Sequence, residues 1–168
     1  MVNAMTGGKA ILVVGPEGSG KTFLSNMLRS KGLNVIDTDS VDKLVRWTDM
    51  HGRKVRFPEK PDPYWFNGHK FCIYKNRLKA LIKKRPVVVF ALAHNLEDII
   101  GMFDEIYYLK VNKSILDKRL RKRDGNAYAG VRQLAYIKEL DRIAKDNGFR
   151  IIRDSDVAAA LRYFSSLR

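Results

Sequence analysis

Residues 11–28 read ILVVGPEGSGKTFLSNML: an apolar run, a loop with three glycines and a lysine, then an amphipathic stretch. The apolar run has the unbroken Ile/Leu/Val character of a strand buried on both faces, and the last segment carries apolar residues at helical spacing. Between them Gly15, Gly20, Lys21 and Thr22 complete the pattern G-x-x-x-x-G-K-T, in the strand-to-helix context that gives the pattern meaning. Glycines at 15, 18 and 20, with Ser19 among them, let the backbone fold round an anion with its amide hydrogens turned inward. The helix N-terminus adds a favourable partial charge. Lys21 is expected to reach the β and γ phosphates of ATP, and the Thr22 hydroxyl to ligate Mg2+.

Outward from this loop, short β-rich runs alternate with longer helical ones. Strands are expected at 10–14, 34–37, 86–91, 105–111 and 149–153. Helices are expected at 21–30, 40–47, 67–84, 96–102, 114–123, 130–146 and 155–167. Such alternation predicts an α/β fold, a parallel sheet between two helical layers, in one domain spanning 1–168. Residues 1–9 read as a loose leader. Residues 48–66, with three prolines, scattered charge and large aromatics, show no period and read as a long acceptor-side loop or lid.

The chain has 168 residues and a formal net charge of +14, a surface field that attracts polyanions such as nucleic acid or anionic membranes. Cys72 is the single cysteine, so no intramolecular disulfide forms, and no Cys/His cluster has zinc-ligand spacing. No apolar run reaches the length of a membrane span, and a cytoplasmic protein is expected.

The second strand ends in NVIDTDSVDKL, which brings Asp37 and Asp39 to the carboxyl edge of the sheet, where ligands sit in open α/β folds. Period-two geometry would send both carboxylates to one face. One can hold the hydration shell of Mg2+ while the other takes the proton of an attacking hydroxyl. The third strand, VVVFALAHN, lacks the acid that ends the equivalent strand of many ATPases, which leaves the metal to Thr22 and the Asp37/Asp39 pair. His94 and Asn95 open that edge, either as substrate contacts or as a bystander and a helix cap. In SILDKRLRKRDGNAYAG, Arg119 and Arg123 lie four residues apart on one helical face and can embrace a transferring phosphoryl group.

Together GPEGSGKT, DTD and RLRKR resemble the small P-loop kinases related to nucleoside monophosphate kinases, shikimate kinase and the kinase domain of phage polynucleotide kinase. The resemblance implies a three-layer P-loop fold with a five-stranded parallel sheet of order 2-3-1-4-5 and a short lid at 119–130. It implies roles as well. Asp39 would activate the acceptor hydroxyl, Asp37 would stand on the metal side, Arg119 and Arg123 would close over ATP, and Arg153 with Ser155 would lie beside adenine. The DG-F-P-R type segment of the monophosphate kinases and the shikimate-type glycine pair are both missing after the third strand.

Residues 43–85 hold thirteen Lys and Arg, far outnumbering the acids, interleaved with Trp47, Phe57, Tyr64, Trp65, Phe66, Phe71 and Tyr74. Basic side chains track a phosphate backbone and aromatic faces stack exposed bases. The expected partner is therefore DNA, and the expected reaction is Mg2+-dependent transfer of the ATP γ-phosphate to a hydroxyl on DNA. The favoured acceptor is 5-hydroxymethyluracil, as in the phage 5-hydroxymethyluracil DNA kinases. A 5′-hydroxyl end, a free nucleoside, nucleotide or small metabolite, and an ATP-gated nucleic-acid-binding module are the alternatives.

Overall fold

The computed structural model describes the backbone of residues 7–124 and 127–167, and the side chains of these except 63 and 123–132. Strand β1 (Ala10–Val14) is the centre, and none of its five residues is exposed. It pairs in parallel with β6 (Val87–Ala91) on one side and β7 (Glu105–Leu109) on the other. Strand β2 (Val35–Asp37) flanks β6, and β8 (Arg150–Ile152) flanks β7. The sheet order is β2-β6-β1-β7-β8. Counted among the five parallel strands alone, in chain order, this is 2-3-1-4-5, as the resemblance implies.

Alternation along β1 divides the core in two. Ala10, Leu12 and Val14 face a cluster with Leu78 of α3 (Lys75–Leu81), Leu96, and Tyr136, Leu140 and Ile143 of α5 (Ala127–Asp146). Ile11 and Val13 face the other cluster, with Leu24 and Leu28 of α1 (Lys21–Ser30) and Ala160 and Phe164 of α6 (Val157–Ser165). Burial on both faces is why these strands read as unbroken apolar runs. Helix α4 (Lys113–Asp124) follows β7.

The segment from 40 to 84 departs from expectation. In place of a helix at 40–47, a loop at 48–66 and a helix at 67–84, the chain builds a three-stranded antiparallel sheet of order β4-β3-β5. Its strands are β3 (Val45–Asp49), β4 (Lys54–Val55) and β5 (His69–Ile73), with the short helix α2 (Pro63–Asn67) before β5. The cause is period-two alternation: Val45 pairs with Ile73 and Trp47 with Phe71 across β3 and β5, so apolar and aromatic side chains stack on one face. Of the expected long helix, only residue 67, which ends α2, and residues 75–81 are helical. The expected helix at 96–102 is two 3-10 turns.

Residues 1–6 of the expected leader lie outside the described residues. Lys9 is not loose: its carbonyl accepts Val87 N–H at 2.9 Å and its ammonium pairs with Glu105. Of the expected lid, 119–124 continue α4 and 127–130 begin α5, while 125 and 126 lie outside the described residues. Among the described residues, no helix is long and apolar enough to cross a membrane.

Candidate active site

Every residue of the glycine loop is placed by local necessity. At Gly15 an added Cβ would lie 2.6 Å from Ser19 Oγ, so the loop closes on itself only with glycine there. Gly18 and Gly20 have φ of +74° and +98°, a region that side chains disfavour. Gly20 also serves as N-cap of α1, with no side chain bonded to the first-turn amides. Ser19 Oγ is buried and has no hydrogen-bond partner among the described residues. Lys21 is buried, and its ammonium donates to the carbonyls of Gly15 and Pro16 at 2.8 Å each. A bent glycine loop at a helix N-terminus, with a buried hydroxyl and an ammonium, fits a triphosphate.

Helix α4 closes one side of this loop. Leu116 and Leu120 are buried against Gly18, and the Arg119 guanidinium donates to the Gly18 carbonyl at 2.9 Å. Arg119 is thus held on the loop. The side chain of Arg123, its expected companion, lies outside the described residues. Arg121 and Lys122 are exposed.

Asp37 and Asp39 do not share a strand face, because the chain turns at Thr38. Asp37 ends β2 and is buried; its Oδ1 accepts Asp39 N–H at 3.3 Å and its Oδ2 lies 3.5 Å from the Ser25 hydroxyl of α1. The Ser25 hydroxyl also donates to the Thr22 carbonyl. Asp37 therefore sits behind the first turn of α1, close to Thr22. The oxygen donors of Thr22 and Asp37, joined by water and phosphate, match the preference of Mg2+ for few protein ligands. Among the described residues no group of three or more His, Cys, Asp or Glu forms a metal cage.

Asp39 instead lines the cavity. Partial desolvation by the concave site raises its pKa above 3.8; the Lys21 charge lowers it, and Asp37 and Glu17 push it up again. The cavity measures about 940 Å³. It is lined by Phe23, Ile115, Arg119, Asp154 and Val157, and by Asp39, Trp47, Phe71, Leu92, His94 and Tyr136. Asp154 and Val157 stand where Arg153 and Ser155 were expected. Arg153 is exposed, its N–H donating to Asp156 Oδ2 at 3.1 Å, and Ser155 bonds Asp156 Oδ1 at 3.1 Å, so both serve the turn before α6.

His94 and Asn95 act as an edge strand for β5. Asn95 accepts Ile73 N–H at 2.8 Å and donates to Ile73 C=O at 3.0 Å. His94 Nδ1 accepts Phe71 N–H at 3.1 Å, and His94 N–H donates to Phe71 C=O at 2.8 Å. They clip the small sheet to the end of β6, and His94 lines the cavity as well.

Sequence reasoning missed Gln133 and Tyr136. Gln133 is buried on α5 and its Oε1 accepts the loop amide of Glu17 at 3.1 Å. The buried Tyr136 hydroxyl meets both Ala93 N–H and C=O at 3.3 Å. Burial drives its pKa far up, with the Asp39 charge adding to the rise. The signal was spacing: 133, 136 and 140 form one buried stripe on α5.

A family profile described as AAA domain matches residues 11–135. The chain belongs to this family. Within the AAA domain family its architecture is that of the P-loop kinases. The chain is 27% identical over 146 residues to the dephospho-CoA kinase of Dehalococcoides mccartyi, covering 70% of this chain and 74% of the relative. Crystal structures of a gluconokinase from Sinorhizobium meliloti 1021 and of shikimate kinase from Bacteroides thetaiotaomicron share the fold. Their identities are 17% and 18%, each with a TM-score of 0.54. The matches cover 94% and 95% of this chain, and 90% and 97% of those chains. The relative and both structural neighbours are kinases.

Proposed function

We propose that this protein transfers the γ-phosphate of ATP to a hydroxyl on a small molecule. The observation that carries the reading is the single cavity in which Lys21, Thr22 and Arg119 meet Asp39 and an aromatic wall. Its volume is in the range of small-ligand and cofactor sites. The relatives are named for small molecules, which favours this acceptor class over the DNA hydroxyl expected from charge.

The aromatic residues expected to stack exposed bases pack largely on one another. Trp47 alone lies within 5.7 Å, centroid to centroid, of Phe57, Trp65, Phe66 and Phe71. These five rings cluster on the small sheet, while Tyr64 and Tyr74 are exposed. The clustering weakens the stacking argument for 5-hydroxymethyluracil in DNA, and for a 5′-hydroxyl end. The net charge of +14 is the observation that keeps a polynucleotide in the test.

In the transfer, the acceptor oxygen forms a bond to the γ-phosphorus as the bond from that phosphorus to the β–γ bridging oxygen breaks and ADP leaves. Asp39 takes the hydroxyl proton. Lys21 and Arg119, now on loop carbonyls, turn to phosphate oxygens and neutralise charge as it spreads. Mg2+, when bound through Thr22 and the Asp37 side, supplies further neutralisation of the phosphates.

The test is incubation with γ-labelled ATP and Mg2+ against small alcohols, an oligonucleotide with a free 5′-hydroxyl, and an end-blocked oligonucleotide with internal 5-hydroxymethyluracil. Label on a small alcohol is expected. Label confined to either oligonucleotide, and collapsing as salt is raised, would return the acceptor to DNA.

A further inference from the structure

Residues 43–85 hold thirteen Lys and Arg and three acids, an excess of ten out of the chain's fourteen. Between 70 and 85 there are seven Lys and Arg and no acid. The register of the small sheet decides where these side chains go, because directly opposed residues of antiparallel strands project to one face. Val45, Trp47, Phe71 and Ile73 share the face that turns to the core and the cavity. Thr48 is opposed by Lys54 on one side and by Lys70 on the other, and Arg46 by Cys72, so these five project to the outer face. Lys54 and Lys70 are exposed. Tyr74 follows on the same side, 42% exposed, with the Arg46 guanidinium 4.7 Å from its ring centroid. Helix α3 begins at the next residue and adds exposed Lys75, Arg77 and Lys79.

These cations are not neutralised from within. Elsewhere Lys9 is answered by Glu105, Arg85 by Asp104, Lys110 by Asp141 and Arg142 by Glu139. Lys54, Lys70, Lys75, Arg77 and Lys79 make no ion pair among the described residues. Glu139 of α5 is close enough to Lys70 to feel its charge. Of the three acids in the segment, Asp49 is taken by Arg53, Asp62 caps α2, and Glu59 is exposed between β4 and α2. Arg46 Nε is buried with no hydrogen-bond partner among the described residues. Stacked on Tyr74, that guanidinium offers a planar fork, which suits phosphate oxygens. Like charges kept side by side repel one another, and a polyanion relieves the repulsion.

We infer that the outer face of the small sheet, continued by α3, binds the phosphate backbone of a nucleic acid and leaves the cavity on the opposite face free for small substrates. Lys, Arg and Tyr are side chains that hold phosphate oxygens without reading sequence. A membrane surface would call for apolar side chains set to insert beside the charge, and the paired strand positions of this face carry no aliphatic residue.

The experiment is fluorescence anisotropy of the full chain with a labelled oligonucleotide of mixed sequence, once as RNA and once as DNA. Binding is expected to fall on the order of a hundredfold between about 50 and 200 mM salt, as about five backbone contacts require. Lys54→Glu combined with Lys70→Glu should weaken it on the order of tenfold or more. Lys138→Glu combined with Lys145→Glu, on exposed positions of α5, changes the net charge equally and should cost less than about threefold. Saturating Mg2+ and a non-hydrolysable ATP analogue should leave the oligonucleotide affinity unchanged. If the Lys54 and Lys70 reversal fails to fold, Lys54→Gln combined with Lys70→Gln decides, since it discards the charge and keeps the side-chain stem. Equal losses in the two Lys→Glu pairs would reduce the effect to diffuse attraction and overturn the inference. Absence of binding would overturn it too, as would displacement by the ATP analogue or tighter binding to phosphatidylserine vesicles than to either oligonucleotide.

Discussion

The backbone N–H of Asp39 donates to the Asp37 carboxylate at 3.3 Å, so one turn ties the two acids together while pointing them at different tasks. Asp37 is fixed behind α1, and Asp39 faces the cavity. Replacing the Asp39 carboxylate by an amide of the same shape separates these tasks. Asp39→Asn should lower kcat by about 10²- to 10⁴-fold and leave the ATP dissociation constant nearly unchanged. Asp37→Asn should instead raise the Mg2+ concentration needed for half-maximal rate. Normal turnover in Asp39→Asn, measured by ADP release, would remove it as the base.

The pH profile should carry the mark of the same carboxyl. Asp39 must be ionised to accept a proton, and desolvation holds its pKa above 3.8, with Asp37 and Glu17 adding to the rise. The acid limb of kcat/KM should therefore fall above the ordinary aspartate range. Glu17→Gln removes one like charge and should move that limb down. For stability the sign is opposite to a salt-bridged acid: with its folded pKa raised, the contribution is present below the unfolded pKa and lost as pH rises through the folded one. An acid limb that ignores Glu17→Gln would mean another group titrates.

The central sheet and the loop were legible because each is written in local pattern. Residues 10–14 and 87–91 are unbroken apolar runs, and G-x-x-x-x-G-K-T dictates its own backbone. The small sheet was not legible in the same way. Val45, Trp47, Phe71 and Ile73 make a period-two face only when two strands more than twenty residues apart are paired, and the intervening prolines hide the period. The cavity wall was only partly legible. Asp39 follows its strand directly and could be read as a carboxylate at the sheet edge, whereas Tyr136, bonded to Ala93 across 43 positions of sequence, shows locally only as one position of a buried helical stripe. His94 and Asn95 were visible as polar residues at a strand end, but their task depends on β5 lying beside them.

Gly18 joins the phosphate loop to α4. A methyl group there would force φ of +74° on a chiral residue and lie 3.3 Å from Leu116 Cδ1. Gly18→Ala should cost about 1–2 kcal/mol from the backbone alone and weaken ATP binding, because α4 and Arg119 are displaced. Gly32→Ala is the control. It has φ of +80° with nothing within 4 Å of the added Cβ, and it should lose stability without losing ATP affinity. Thermal melts with and without ATP distinguish the two.

Asn95 tests whether the small sheet belongs to the acceptor. Asn95→Ala leaves Ile73 N–H and C=O without their partners and should cost about 2 kcal/mol. Because β5 carries Phe71, the KM for the acceptor should rise while that for ATP stays put. Asn95→Asp keeps an acceptor for Ile73 N–H but loses the donor, and should fall between. Equal rises in both KM values would mean the clip supports the whole domain instead.

Glu105 anchors the opposite end of the sheet from the cavity, at the start of β7. Its carboxylate is 8% exposed and receives the Arg150 guanidinium at 3.0 Å, the Tyr107 and Tyr163 hydroxyls at 2.8 Å each, and the Lys9 ammonium. Burial opposes ionisation, but these four donors outweigh it and hold the pKa down to about 2. The stabilisation is therefore fully present above the unfolded value of 4.5 and is lost as pH falls toward 2. Glu105→Gln should cost about 3 kcal/mol at pH 7, since it strands charged donors around a neutral amide. The gap between wild type and variant in denaturant titrations should narrow as pH falls from 5 to 2. The variant should keep the ATP and acceptor KM values of the wild type, because parallel strands put this cluster and the glycine loop at opposite edges. A gap independent of pH would mean that shape, and not charge, is what Glu105 contributes.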